Sequence, residues 1–127
     1  MGDPYSVIAD KEKNRLYIDL YPTEIEHVEK IEDEIFAKAK QLAAGWGCIV
    51  NYTAVDVPLT IDLLDKAETV MSFLKQLGMG QLVRVLTEEQ SSLKDELKNR
   101  SMEIGGYEGI VARTQQDADT ILDRILD

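Results

Sequence analysis

The chain has 127 residues, of which 44% are hydrophobic, and its 24 acidic and 14 basic residues give a formal net charge of -10. This length predicts one domain, residues 1–127, with a single core. The negative charge repels nucleic acid phosphates and anionic membrane surfaces, so we expect neither as a partner. The sequence has neither an apolar run long enough to span a bilayer nor a signal-like start, which predicts a cytoplasmic protein.

The first predicted element is a β-hairpin. Apolar residues alternate in YSVIAD (5–10) and RLYIDLY (15–21), and the polar segment KEKN (11–14) between them ends in Asn, as tight turns often do. In the second strand Tyr17, Asp19 and Tyr21 alternate with apolar residues. The later predicted strands also contain polar residues between apolar ones, at Asn51, Thr53, Arg84 and Arg113. One sheet face is therefore predicted to be lightly covered, unless these residues lie at strand ends or on a solvated edge.

A long amphipathic helix is predicted over residues 24–43. Its apolar residues recur at helical spacing, and Thr23 with Glu26 forms a capping-box pattern at its start. The apolar residues of this helix are Ile25, Val28, Ile31, Ile35, Phe36, Ala39 and Leu42. The GWG that follows breaks the helix, and CIVNYTAVDV (48–57) is predicted to be a strand that Pro58 ends.

A second helix is predicted from Thr60 to a glycine stop at Gly78. Its core-facing residues are predicted to be Ile61, Leu64, Ala67, Val70, Met71, Leu74 and Leu77. A strand QLVRVL (81–86), a polar helix (88–104), a strand EGIVAR (108–113) and a helix (115–126) follow, the last with Ala118, Ile121, Leu122 and Ile125 inward. The order ββαβαβαβα predicts an α/β fold with a mixed sheet, mainly parallel after the N-terminal hairpin.

The sequence offers little for catalysis or for a cofactor. His27 is the only histidine, lies beside Glu26 and Glu29 on a polar helix face, and has no GxSxG motif to accompany it. The glycines precede strands, whereas a phosphate-binding loop needs glycines between a strand and a helix. Cys48 is the only cysteine, which excludes an intrachain disulfide and predicts a buried thiol. We expect no enzyme activity, no catalytic or metal site and no cofactor.

The element order resembles the STAS fold of the SpoIIAA-like anti-sigma factor antagonists. The resemblance rests on the segments IVNYTAVDVPLTIDLLDKAETVMSFLKQLGMGQLVRV (49–85) and SMEIGGYEGIVARTQQDADTIL (101–122), and covers nearly the whole chain. It implies a non-enzymatic regulatory domain that docks on a protein partner, such as a regulatory kinase or an anti-sigma-like protein. Many members are switched by phosphorylation of a Ser or Thr in an Asp-Ser-Ser-Gly pattern at the start of the second helix.

The usual phosphoacceptor is missing from this chain. Aligned without gaps from Ile49 to Gly78, the family pattern falls on residues 60–63 and its acceptor position on Ile61. Thr60 has two readings, as a displaced phosphosite or as the N-cap of the second helix, and we favour the cap. Asp62 places a fixed negative charge in the first helical turn, which also suits the helix dipole. The turn is predicted to be a docking surface or a plain helix start.

We expect a protein partner to bind beside this turn, at Asp56, Leu59, Thr60, Asp62 and Asp65. An apolar Leu59 rimmed by carboxylates matches the anchor and rim of an interface, unless Leu59 is turned inward and the acids are merely solvated. The alternative function is a domain of the same fold that binds a small apolar or nucleotide ligand, using Tyr17, Tyr21, Tyr52 and Arg84. An exposed sheet edge and a polar sheet face would also permit a homodimer.

Overall fold

The structure is a computed structural model that describes residues 5–20, 28–53, 61–87, 95 and 110–126. Its elements are β1 (Tyr5–Asp10), β2 (Arg15–Leu20), α1 (Val28–Ala39), β3 (Gly47–Asn51), α2 (Ile61–Gln76), β4 (Gln81–Val85), β5 (Ile110–Ala112) and α3 (Gln115–Leu126). The predicted helix over residues 88–104 lies outside the described residues apart from Asp95, which is helical. None of the helices in the described ranges is both long and apolar enough to cross a membrane.

The five strands form one sheet in the order β1-β2-β3-β4-β5. β1 and β2 are antiparallel, and the pairs from β2 to β5 are all parallel. This arrangement confirms the predicted α/β fold with a mixed sheet and an N-terminal hairpin. Each parallel connection needs a crossover, and helices α1 and α2 supply the first two.

The hairpin turn depends on Asn14, which has a positive φ of 57°. Asparagine tolerates this left-handed conformation better than most residues. Its side chain also joins the turn to the loop before β3: Nδ2 donates to the Ala43 carbonyl at 3.0 Å, and Oδ1 accepts from the Ala43 N–H at 2.8 Å. The asparagine that marked the turn in the sequence therefore also fixes the hairpin against the next strand.

Helices α1 and α2 cover one face of the sheet, called here the two-helix face. Ile35 and Ala39 of α1 and Met71 and Leu74 of α2 are buried there, as the helical spacing predicted. The strand residues Leu16, Ile18, Cys48, Val50 and Leu82 form the floor of the same cluster. Trp46 is fully buried beside them. This face carries the larger of the two apolar cores.

The prediction that Leu77 faces the core is wrong, since its side chain is 40% exposed. Helix α2 ends at Gln76, and Gly78 adopts a φ of 112°. The Met79 N–H donates to the Leu74 carbonyl at 3.0 Å and the Gly78 N–H to the Lys75 carbonyl at 3.1 Å, which is the Schellman pattern. The chain reverses at this cap, so Met79 takes the buried place and Leu77 stays outside.

Glycine is required at Gly80 because two loops touch there. A Cβ at this position would lie 2.7 Å from the Gly45 carbonyl oxygen. The loop before β3 and the loop before β4 are also joined by hydrogen bonds from the Gly80 N–H to the Trp46 carbonyl and from the Gly45 N–H to the Gly78 carbonyl. This contact sets the starts of β3 and β4 side by side.

Helix α3 packs on the opposite face, called here the one-helix face. Ala118 and Leu122 of α3 are fully buried against Ile49, Val83 and Val85, and Ile121 is partly buried beside them. These positions confirm the predicted inward side of the last helix. The cover does not extend to β1, where Ile8 is 54% exposed next to Tyr17 in the register. The one-helix face is therefore lightly covered over the hairpin, as the polar alternation in β2 predicted.

The predicted polar face is wrong for Arg84. This residue pairs in register with Val50 and Val111, so it lies on the two-helix face, where it is only 2% exposed. Arg113 is exposed directly after the last residue of β5, which is the strand-end alternative. The alternation in QLVRV does not reveal which set of side chains faces which helices, because a shift of one residue in strand register moves every side chain to the other face.

Candidate functional site

The ends of the parallel strands define the candidate site. β2 and β3 run parallel, and Asp19 lies opposite Asn51 at their carboxyl ends. The chain leaves β3 at this edge and enters α2 at Ile61. Loops that a rigid sheet holds at the ends of its strands carry a large share of binding residues in proteins. We call this edge, with the start of α2, the carboxyl edge.

Two of the predicted docking residues fall in the described part of this edge. Asp62 and Asp65 lie in the first turns of α2, and residues three apart are neighbours on a helix surface. The helix starts at Ile61, directly after Thr60, where the sequence placed its start. Asp56, Leu59 and Thr60 lie outside the described residues, so the cap and the apolar contact stay predictions.

Asn51 ends β3 and organises the start of the next segment. Its Oδ1 accepts hydrogen bonds from the Thr53 backbone N–H at 2.9 Å and from the Thr53 hydroxyl at 2.6 Å. An Asn side chain that bonds two residues ahead closes an Asx-turn. Its Nδ2 donates to Gln115 Oε1 at 3.5 Å, at the start of α3. The carboxyl edge therefore has a fixed polar position at its centre.

Asp19 supplies a half-buried carboxyl group beside Asn51. Burial raises the pKa of Asp19 above its usual value of 3.8, because a carboxylate loses hydration there. A cation arriving at this group would restore part of the lost stabilisation of the charged form. Asp19 therefore offers a site for a basic group at this edge, on the one-helix face.

A second polar cluster lies on the one-helix face, and the sequence did not predict it. The Arg15 guanidinium is 4% exposed and pairs with two carboxylates of α3. One NH2 group donates to Asp119 Oδ1 at 2.6 Å and the other to Asp123 Oδ1. The Tyr17 hydroxyl donates to the same oxygen of Asp119 at 2.6 Å. We call these four residues the Arg15 cluster.

The electrostatics of the Arg15 cluster indicate a structural role, the attachment of α3 to β2. Burial alone would lower the pKa of Arg15, but hydrogen bonds to Asp123, Tyr17 and Asp119 together raise it above its usual value. Burial, and then the hydrogen bond to Asp119, raise the pKa of Tyr17 to about 12. The arginine therefore stays charged and the phenol stays neutral near pH 7. Both NH2 groups of Arg15 are bonded to carboxylates of α3, so the cluster holds α3 on β2, while Arg15 Nε is buried without a hydrogen-bond partner.

The sequence contains only a faint signal for this cluster. Asp119 and Asp123 are four apart and so share one side of α3, while Arg15 and Tyr17 are two apart and share one side of β2. These local spacings do not indicate that the two pairs meet, since more than 100 residues separate them along the chain.

The residues named for a small-ligand site do not share a surface. Tyr17 lies on the one-helix face within the Arg15 cluster, whereas Tyr52 and Arg84 are each 2% exposed in the structure. Tyr52 belongs to the core of the two-helix face, the face on which Arg84 also lies. Tyr21 lies outside the described residues. The idea that these four side chains line one accessible strand face is wrong.

The cysteine and the histidine are the first candidates for nucleophilic or metal chemistry. Cys48 is buried as predicted, and burial raises the pKa of its thiol to about 12, so it is protonated near pH 7. His27 lies outside the described residues. Within the described ranges, His, Cys, Asp and Glu side chains form no group of three or more that could hold a metal ion.

Comparison with protein-family models and with curated proteins finds no match to this chain.

Proposed function

We propose that this chain is a STAS-like, non-enzymatic regulatory domain of the cytoplasm that binds a basic protein partner at its carboxyl edge. The docking residues in this proposal are Asp56, Leu59, Thr60, Asp62 and Asp65. By the resemblance to anti-sigma factor antagonists, the partner belongs to the class of regulatory kinases or anti-sigma-like proteins.

One observation carries the proposal: α2 begins with acidic turns on the edge that also holds Asp19 and Asn51. Asp62 and Asp65 belong by chain position to the first turns of α2, and Asp19 lies at the same end of the sheet, on the face opposite α2. A Lys or Arg beside Asp19 would offset the desolvation that raises its pKa. Such charges speed the encounter with a basic partner more than they deepen its affinity.

In this proposal the carboxyl edge can bind its partner at all times, without a phosphorylation switch. Ile61 occupies the position of the family's phosphoacceptor and has no hydroxyl group. Thr60 is proposed to cap α2 through its side-chain oxygen, which occupies the group that a phosphate would modify. Asp62 then supplies a constant negative charge near the helix N-terminus.

The test begins with tagged protein expressed in the cells it comes from. The partner captured with it is identified, purified and mixed with the recombinant chain. We expect Asp62→Lys with Asp65→Lys to bind this partner at least about tenfold more weakly, because attraction becomes repulsion. Mass spectrometry of the captured protein should find Thr60 without phosphate.

A matched control changes the net charge equally at exposed residues of the opposite end of the sheet, Glu12→Lys with Gln41→Lys and Gln76→Lys. This control should bind the partner like the unmodified protein. Equal weakening by the control and by the Asp62, Asp65 variant would mean that only the overall charge matters. Stoichiometric phosphate on Thr60 would contradict the proposed cap.

A further inference from the structure

The outer surface of α1 and α2 carries exposed apolar side chains. Phe73 is 52% exposed and Leu77 is 40% exposed, and the two are four residues apart near the end of α2. Phe36 of α1 meets Phe73 edge to face, with ring centroids 5.8 Å apart. This contact joins the two helices into one surface at the level of Phe36 and Phe73.

A stripe with an acid at one end and a base at the other lies beside this apolar surface. Asp33 and Ala37 of α1 and Lys40, the residue after its last, are exposed and are spaced four and three residues apart. The Lys40 N–H bonds to the Phe36 carbonyl, so the three residues continue one line along the helix. An acid stands at one end of the stripe, a base at the other, and a small side chain between them. Such a stripe is complementary to itself when it is reversed.

We propose that the outer surface of α1 and α2 binds a second copy of this chain about a two-fold axis. The axis crosses α1 near Ala37, so that the two α1 helices pack antiparallel. Asp33 of each copy then meets Lys40 of the other, and the exposed Phe73 and Leu77 of the two copies are buried together. A two-fold interface requires this kind of self-complementary patch.

The charge pattern selects a second copy over an unrelated partner. Each chain carries a net charge of -10, so two copies repel one another over most of their surfaces. The α1 stripe is locally balanced and permits approach, while Ala37 at its centre lets the helices come close. The patch is small, so the expected dimer is weak, with a Kd in the micromolar range.

This inference goes beyond the proposed function and is independent of it. The dimer surface uses the later part of α2, whereas the proposed partner surface uses the first turns of that helix. A dimer would present two carboxyl edges, which strengthens binding to a partner that has two matching sites. A variant that loses self-association and keeps partner binding can therefore be distinguished from one that loses partner binding and keeps self-association.

Sedimentation equilibrium of the full chain at physiological salt tests the proposal through a charge swap. Asp33→Lys alone and Lys40→Asp alone should each weaken dimerisation about tenfold, since each substitution occurs twice and turns attraction into repulsion. The double variant Asp33→Lys with Lys40→Asp reverses the stripe without removing its self-complementarity. We expect the double variant to dimerise nearly as well as the unmodified chain.

Two further variants complete the test. Phe73→Ser should weaken dimerisation by about a hundredfold, because the apolar contact is lost in both copies. Lys11→Asp with Glu12→Lys, a swap in the exposed hairpin turn, should leave dimerisation unchanged. Circular dichroism confirms that each variant is folded. A folded, unmodified chain that is monomeric throughout the micromolar range, or a double swap as weak as the single variants, would overturn the proposal.

Discussion

The two faces of the sheet are stabilised in different ways. On the two-helix face, α1 and α2 cover a continuous apolar core that includes Trp46 and Leu74, both fully buried. On the one-helix face, α3 covers a smaller apolar cluster and meets β2 through the Arg15 cluster. Ile8 beyond it is left exposed. Among the described residues, the first face is held mainly by apolar burial, whereas the second also depends on ion pairs at its margin.

This difference locates the parts of the molecule that are free to interact. On the two-helix face, α1 and α2 bury the strand residues of the core. Other molecules can therefore reach this side of the protein at the outer surfaces of the two helices or at the carboxyl edge. On the other face, both NH2 groups of Arg15 and the Tyr17 hydroxyl are bonded within the Arg15 cluster. The proposed partner surface and the proposed dimer surface both fall on α2, the helix anchored by the larger core.

The largest expected effect is on the two-helix face, from Leu74→Ala. Removing this fully buried side chain should lower the free energy of unfolding by about 3–4 kcal/mol through lost burial and a residual cavity. Urea denaturation monitored by circular dichroism measures the change. Leu77→Ala on the same turn of chain is the matched control and should cost under about 1 kcal/mol, since Leu77 is already 40% exposed. Similar losses in both variants would contradict the assigned core.

A smaller effect is expected on the one-helix face from Asp119→Ala with Asp123→Ala. The double variant leaves the buried Arg15 without its carboxylates and should cost about 2–3 kcal/mol, below the value for a fully buried pair because Asp123 is largely exposed. Hydrogen exchange should show the loss first in α3, while β3 and α2 keep their protection.

Arg15→Met sharpens the same comparison from the other side of the ion pairs. It removes the buried charge and leaves carboxylates that water can reach, so it should cost less than about 1.5 kcal/mol. The order of the two losses is the informative result. If Arg15→Met destabilises the protein more than the double acid variant, an unpaired buried Arg15 charge is not the main cost of breaking the ion pairs.

The smallest expected effect is a pH dependence at Tyr17. Its folded pKa of about 12 lies above the ordinary 10.0, so the phenol contributes stability that is fully present below pH 10 and is lost as the pH rises through about 12. Urea denaturation at several pH values in this window should show a shallower decline for Tyr17→Phe. Identical declines in the two proteins would mean that Tyr17 titrates normally.

The parts of the fold that were predictable from sequence are those with local signals. Asn14 marked the hairpin turn and Gly78 the end of α2, and the helical spacing gave the buried sides of α1 and α3. The side of the sheet taken by Arg84 and the exposure of Leu77 were not predictable, because a single-residue choice of face or a cap decides them. The Arg15 cluster joins the two ends of the chain, which local patterns cannot do. Of the candidate site, the start of α2 was predicted correctly, while Asp56, Leu59 and Thr60 lie outside the described residues.

Stopped-flow association with the purified partner, across a range of salt concentrations, tests the proposed docking at the carboxyl edge most directly. We predict that Asp62→Lys with Asp65→Lys lowers the association rate constant about tenfold and flattens its dependence on salt, because opposite charges at this edge attract a basic partner. The control Glu12→Lys with Gln41→Lys and Gln76→Lys should keep both the rate constant and its salt dependence. A folded Asp62→Lys, Asp65→Lys variant whose rate constant and salt dependence equal those of the unmodified chain would show that the partner binds elsewhere.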